Sequence, residues 1–117
     1  MAHIPEVLPT DDGRVELATA IPLPSGRFLR DAVNFDPKNL KAIADSLEDW
    51  VASRTPEKTY PIGDDVVTFR YGGTDQAPQM IIFNHREKGG SVATSFHSAA
   101  KIAARLRAAA KKYTPNP

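Results

Sequence analysis

A chain of 117 residues, 41% apolar and 25% charged, is long enough to bury one core, and its lack of cysteine excludes disulfides, thiol catalysis and thiolate metal sites. A net charge of +1 excludes a uniformly basic or acidic surface, so a charged partner would have to be met by a local patch. No apolar run reaches membrane-spanning length and no basic-then-apolar leader opens the chain, so the sequence reads as a single domain, 1–117, in the cytoplasm.

Residues 1–12 contain Pro5 and Pro9 and read as an extended arm that turns at Asp11-Asp12-Gly13. Over 14–21, Val15, Leu17, Thr19 and Ile21 alternate with Glu16, Ala18 and Ala20, which predicts a strand. Pro22 and Pro24 end it, and Pro24-Ser25-Gly26 turns the chain into a returning strand over 27–35. Arg30 and Asp31 put charge on both faces of that second strand, which suits a sheet edge.

The first helix has the clearest local signal. Asp36 can accept a hydrogen bond from a free first-turn amide, and Pro37 fits the first helical position. Phe35 and Leu40 occupy the two positions of a hydrophobic staple. Leu40, Ile43, Ala44, Leu47, Trp50 and Val51 form one apolar stripe, while Asp45, Glu48 and Asp49 make the outer face acidic. The helix should end near Ser53, before Thr55-Pro56, and 54–64 reads as a polar connector.

Residues 66–112 hold the densest apolar pattern. Val67, Phe69 and Tyr71 share one face of a strand, with Thr68 and Arg70 on the other. Met80-Ile81-Ile82-Phe83 is apolar at both parities, which predicts a central strand covered on both sides. A meander would place 79–85 between 65–71 and 90–95, with a turn at Glu87-Lys88-Gly89-Gly90. The second helix follows from about Phe96 and buries Ala99, Ile102, Ala103, Leu106, Ala110 and Tyr113. Residues 113–117 form a tail. The expected fold is α+β: a mostly antiparallel sheet of about five strands with two amphipathic helices, in the order ββ-α-βββ-α.

Both halves run hairpin, phenylalanine, amphipathic helix. The landmarks Gly26 and Gly89, Phe35 and Phe96, Leu47 and Leu106 recur at drifting intervals, whereas established repeats hold a fixed period, so the sequence favours coincidence.

No stretch carries recognisable catalytic chemistry. His3, His85 and His97 are too scattered for a metal signature, and there is no HExxH pattern. Ser95 and His97 lie close in sequence, but no GxSxG elbow accompanies them. Asp64 and Asp65 should point to opposite faces of a strand and so cannot flank one substrate. Gly72-Gly73 and Gly89-Gly90 do not lead directly into a helix as phosphate loops do. The reading is therefore non-catalytic binding, with no metal and no cofactor.

Charge distribution points to the kind of partner. Residues 60–117 carry eight Lys and Arg against four Asp and Glu, and no acid follows Glu87. The predicted hairpin tip supplies Arg86 and Lys88. The second helix supplies Lys101, Arg105 and Lys112 on the face opposite its apolar stripe, with Arg107 and Lys111 beside them. Over 37–112 the order α-βββ-α resembles that of double-stranded-RNA-binding domains. That family opens its last helix with a lysine-rich cluster, where this chain has Ser98-Ala99-Ala100-Lys101. The two ββ…α halves also resemble the sheet-plus-helix units of single-strand-binding transcription cofactors. The reading is weak, sequence-independent nucleic-acid binding through the basic second helix and the hairpin tip. The alternative is a protein-interaction or inhibitory module that docks a partner through an apolar patch or sheet edge. Trp50, at the margin of its stripe, would be its anchor, with Tyr60 and Tyr71 as weaker candidates. A homodimer is expected, since two helices leave one face of strand 79–85 short of cover.

Overall fold

Alternating apolar and polar residues build seven strands, and two amphipathic helices cover one face of the sheet they form. The computed structural model describes residues 4–86 and 89–113, apart from the side chains at 20–22, 28 and 29. The strands are β1 (Glu6–Pro9), β2 (Val15–Pro22), β3 (Phe28–Phe35), β4 (Glu57–Ile62), β5 (Asp65–Gly73), β6 (Pro78–Asn84) and β7 (Gly90–Ser95). They lie in the order β1-β2-β3-β7-β6-β5-β4, every neighbouring pair antiparallel. Helix α1 is Leu40–Ser53 and helix α2 is Ala99–Tyr113, each entered through a 3-10 turn, Pro37–Asn39 and Phe96–Ser98.

The α+β class, the antiparallel sheet, its β5-β6-β7 meander and both helices match the sequence reading. Seven strands replace the expected five. The two additions, β1 in the expected arm and β4 in the expected connector, are the sheet's edges and both contain proline. An edge strand bonds a neighbour on one side only, so a missing N–H on the other side costs it nothing. β3 is not an edge. It sits between β2 and β7, and its Arg30 pairs with Glu16 across the uncovered face.

The core is one cluster on one side of the sheet. Val15, Leu17, Val33, Phe35, Val67, Phe69, Met80, Ile82 and Val92 meet the helix stripes Leu40, Ile43, Ala44, Leu47, Trp50 and Ala99, Ile102, Ala103, Leu106, Ala109. Ala109 is buried where Ala110 was expected; Ala110 and Tyr113 pack only partly against the cluster. Because both helices use the same face, β6 is central but covered on one side. Ile81 and Phe83 lie half-buried on the other, where the Arg70 guanidinium sits 4.9 Å from the Phe83 ring centre.

The two helical units correspond at a constant interval of 59 residues. Asp36 accepts from the Lys38 amide as Ser95 accepts from the His97 amide. Leu40, Ile43, Ala44, Leu47 and Trp50 then match Ala99, Ile102, Ala103, Leu106 and Ala109, all buried. The sheet order is palindromic about the β3–β7 pair apart from the extra β4. The drift among the sequence landmarks arises because the two hairpins differ in length: Phe96 stands where Pro37 does, not where Phe35 does.

A buried carboxylate ties the two halves together at one end. The Asp65 side chain is fully buried and accepts from Arg14 (2.9 Å), the Asp36 amide (2.9 Å), Asn39 Nδ2 (2.9 Å) and Asn84 Nδ2 (2.9 Å). Asn84 Nδ2 also donates to the Asn34 carbonyl at 2.8 Å. Burial alone would raise the Asp65 pKa, but these donors outweigh it and hold the carboxyl below its ordinary value. Asp64 lies in the turn before β5, not on the strand, so the expected opposition of the two carboxylates does not hold: Asp64 pairs with Arg86 at its rim, and Asn39 Nδ2 reaches both Asp64 (3.4 Å) and Asp65 (2.9 Å).

Candidate functional site

Of the seven basic residues singled out in the sequence, two are already paired with carboxylates. Arg86 is held by Asp64 at 2.6 Å. Lys88 lies outside the described residues. Arg107 is bound by Asp45 (2.7 Å) and Glu48 on α1, which holds its guanidinium protonated above even the usual arginine range. Two of the three acids on the outer face of α1, Asp45 and Glu48, thus turn to this one arginine.

Four cations remain exposed along α2: Lys101, Arg105, Lys111 and Lys112. Using about 100° per residue, Lys101, Arg105 and Lys112 lie within about 40° of one another, with Ala104 and Ala108 between them. Over eleven residues the stripe is about 16 Å long. Lys101 and Lys111 have no ion-pair partner among the described residues. The Lys112 ammonium lies 5.4 Å from the Tyr113 ring centre. Arg105 donates to the Ile4 (3.1 Å) and Pro5 (2.8 Å) carbonyls, so it fastens the N-terminal segment while keeping its charge. Glu6 shares a groove of about 330 Å³ with Arg105 and Lys112, so one acid stands at the stripe's far end.

The aromatic anchor is not at the surface. Trp50 is 1% exposed, stacks on Phe69 at 5.7 Å and meets Phe96 edge-on at 5.7 Å. Its stripe position was legible; the cover from β5 and from the start of α2 was not. Its indole N–H donates to the Thr55 carbonyl at 3.0 Å, securing the turn after α1. Tyr60 Oη donates to Asp49 at 2.5 Å, and Lys58 donates to the same carboxylate at 2.9 Å. Those two bonds hold Asp49 below its ordinary pKa. Tyr71 is exposed and meets Phe96 edge-on at 5.4 Å.

Sequence reasoning missed a cavity of about 450 Å³ bordered by Trp50, Val51, Arg54, Tyr71 and Phe96. It joins the end of α1, the end of β5 and the start of α2, which no local pattern brings together. One signal was present: Arg54 follows the helix where glycine is usual, and it adopts φ 57°.

The described histidines do not form a site either. His85 Nε2 and Thr68 Oγ1 are hydrogen-bonded at 2.6 Å, and Thr68 meets Thr59 Oγ1 at 2.7 Å. Thr68 is buried, so its hydroxyl is closed to a substrate. Among the described residues no three His, Asp or Glu side chains gather as a metal site would require. No helix is long and apolar enough to cross a membrane. Comparison with protein-family models, with curated proteins and with solved structures found no match.

Proposed function

We propose that this protein is a non-catalytic binder of nucleic-acid phosphates, and that α2 is the contact surface. The observation that carries the reading is the exposed stripe of Lys101, Arg105, Lys111 and Lys112 on a helix free of acids. Ammonium groups without protein partners keep their full charge available to phosphate oxygens. The alanines between them let a backbone approach the helix closely. Contacts of this kind position a strand without reading its bases, so binding should be weak and indifferent to sequence. Arg86 and Arg107 drop out of the surface, because each already has a carboxylate partner.

Fluorescence anisotropy of labelled single- and double-stranded oligonucleotides, at low and moderate salt, tests the reading. Affinity should fall steeply with salt and vary little with sequence. Absence of binding at low salt would remove it.

A second reading, docking of a protein through the uncovered sheet face, is favoured by Val66, Ile81 and Phe83, which lie together there on β5 and β6. Val66 is 37% exposed. A second copy of the chain is the partner considered, since its own Val66, Ile81 and Phe83 could close a two-fold contact. Docking along the sheet edges is disfavoured, because β1 is short and Pro9 and Pro61 interrupt the free N–H rows.

A further inference from the structure

We propose that the cavity between the end of α1 and the start of α2 binds a small aromatic carboxylate, its ring against Phe96 and Tyr71 and its anion on Arg54. The site shares no residue with the cationic stripe, and the inference does not depend on the nucleic-acid reading. At about 450 Å³ the cavity falls within the usual range for small-ligand sites, about 300–1,000 Å³.

Its walls are fixed before anything enters. Trp50 Nε1 donates to the Thr55 carbonyl at 3.0 Å, Ser53 Oγ donates to the Trp50 carbonyl at 2.7 Å, and the Tyr71 amide donates to the Pro56 carbonyl at 2.8 Å. These bonds fasten the turn after α1 to both the helix and β5. Phe96 stands edge-on to Trp50 and to Tyr71, which leaves an aromatic lining able to take a further ring in stacked or edge-on geometry.

The electrostatics select an anion. No acid lines the cavity. The nearest acids along the chain are already used: Asp49 holds Lys58 and Tyr60, and Glu57 holds Arg70 at 2.5 Å. The Arg54 side chain has no hydrogen-bond or ion-pair partner among the described residues. It is also the one described non-glycine residue with positive φ, a conformation that glycine would adopt without strain. An arginine with a free planar fork at an aromatic cavity suits bidentate recognition of a carboxylate.

The chain contains a single tryptophan, so Trp50 emission reports on this cavity alone. The probe is 3-phenylpropionate, titrated into the full chain and followed by Trp50 fluorescence and by amide chemical shifts. The neutral comparison is 3-phenylpropanamide. Saturable changes confined to residues 50–56, 71 and 96 are expected, with the acid binding at least about tenfold more tightly than the amide. Arg54→Gln should abolish that preference. Arg54→Gly, which suits the positive φ, guards against loss of fold and should do the same. The proposal is overturned if the acid gives no saturable change, if acid and amide bind equally to the unsubstituted chain, or if the shifts fall on the lysines of α2.

Discussion

Ala32 and Ser91 pair with each other at the middle of the sheet, and they stand 59 positions apart, from 32 to 91. The same interval relates the caps and the buried positions of the two helices. A residue that pairs with its own counterpart marks a local two-fold axis, and here the axis runs through the joint between β3 and β7.

That joint depends on Gly90. Its φ is 76°, and a Cβ there would run into the Ala32 carbonyl oxygen. Gly26 has a similar φ of 83° with open space around it. Both glycine-to-alanine changes incur backbone strain, but only Gly90→Ala also pushes the two halves apart. It should cost clearly more than about 1 kcal/mol, and more than Gly26→Ala does, in chemical denaturation. Equal losses would mean that the joint tolerates a methyl group.

Leu47 and Leu106 occupy equivalent positions on the two helices, and both are fully buried. Leu47→Ala and Leu106→Ala should each cost about 2–5 kcal/mol, through lost burial and the cavity left behind. Denaturant midpoints measure this. Unchanged midpoints in both variants would contradict the packing of the helix pair on the sheet.

Asp65 gives the fold an acid-sensitive point. Its pKa is lowered in the folded state, so its contribution is complete above the ordinary carboxylate value of about 3.9 and is lost as pH falls through the lower folded value. Asp65→Asn should cost about 3–5 kcal/mol at neutral pH, because it leaves the Arg14 guanidinium without its carboxylate. Stability measured against pH should show the variant and the unsubstituted chain converging below about pH 4. A constant gap across that range would assign the loss to packing rather than to charge.

Self-association through the uncovered sheet face should appear in light scattering as twice the 12.8 kDa chain mass, rising with concentration. Phe83→Arg should return the monomer mass. A monomer at every practical concentration would remove the second functional reading.

Local chemistry made the helices legible: the Asp36 cap and Pro37 mark the 3-10 turn that leads into α1, and the 3.6-residue stripe and the end near Ser53 match α1 itself. Alternation made β2, β3 and the β5-β6-β7 meander legible. The prolines of β1 and β4 hid two strands, because a proline in isolation reads as a break and only the sheet reveals which side of a strand is free. The cationic face of α2 was visible by angle, but its accounting was not. Arg107 meets two acids from α1, and Arg86 meets Asp64, across sequence separations of 62, 59 and 22 residues. The cavity beside Trp50 was hidden for a related reason: it lies where three elements end.

The nucleic-acid reading depends most directly on the exposed lysines, which can be reversed without disturbing the fold. Arg105 is unsuitable for this, because it holds the Ile4 and Pro5 carbonyls. The decisive measurement is an anisotropy titration of one labelled single strand against the unsubstituted chain, Lys101→Glu/Lys112→Glu and Arg107→Ala, repeated across a range of salt. The double variant should bind weakly or not at all, and any binding that remains should have a salt slope shallower by about 1 to 2. Arg107→Ala should bind within about twofold of the unsubstituted chain, because that guanidinium already serves Asp45 and Glu48. Equal affinity and equal salt slope for the double variant and the unsubstituted chain would contradict phosphate binding by α2.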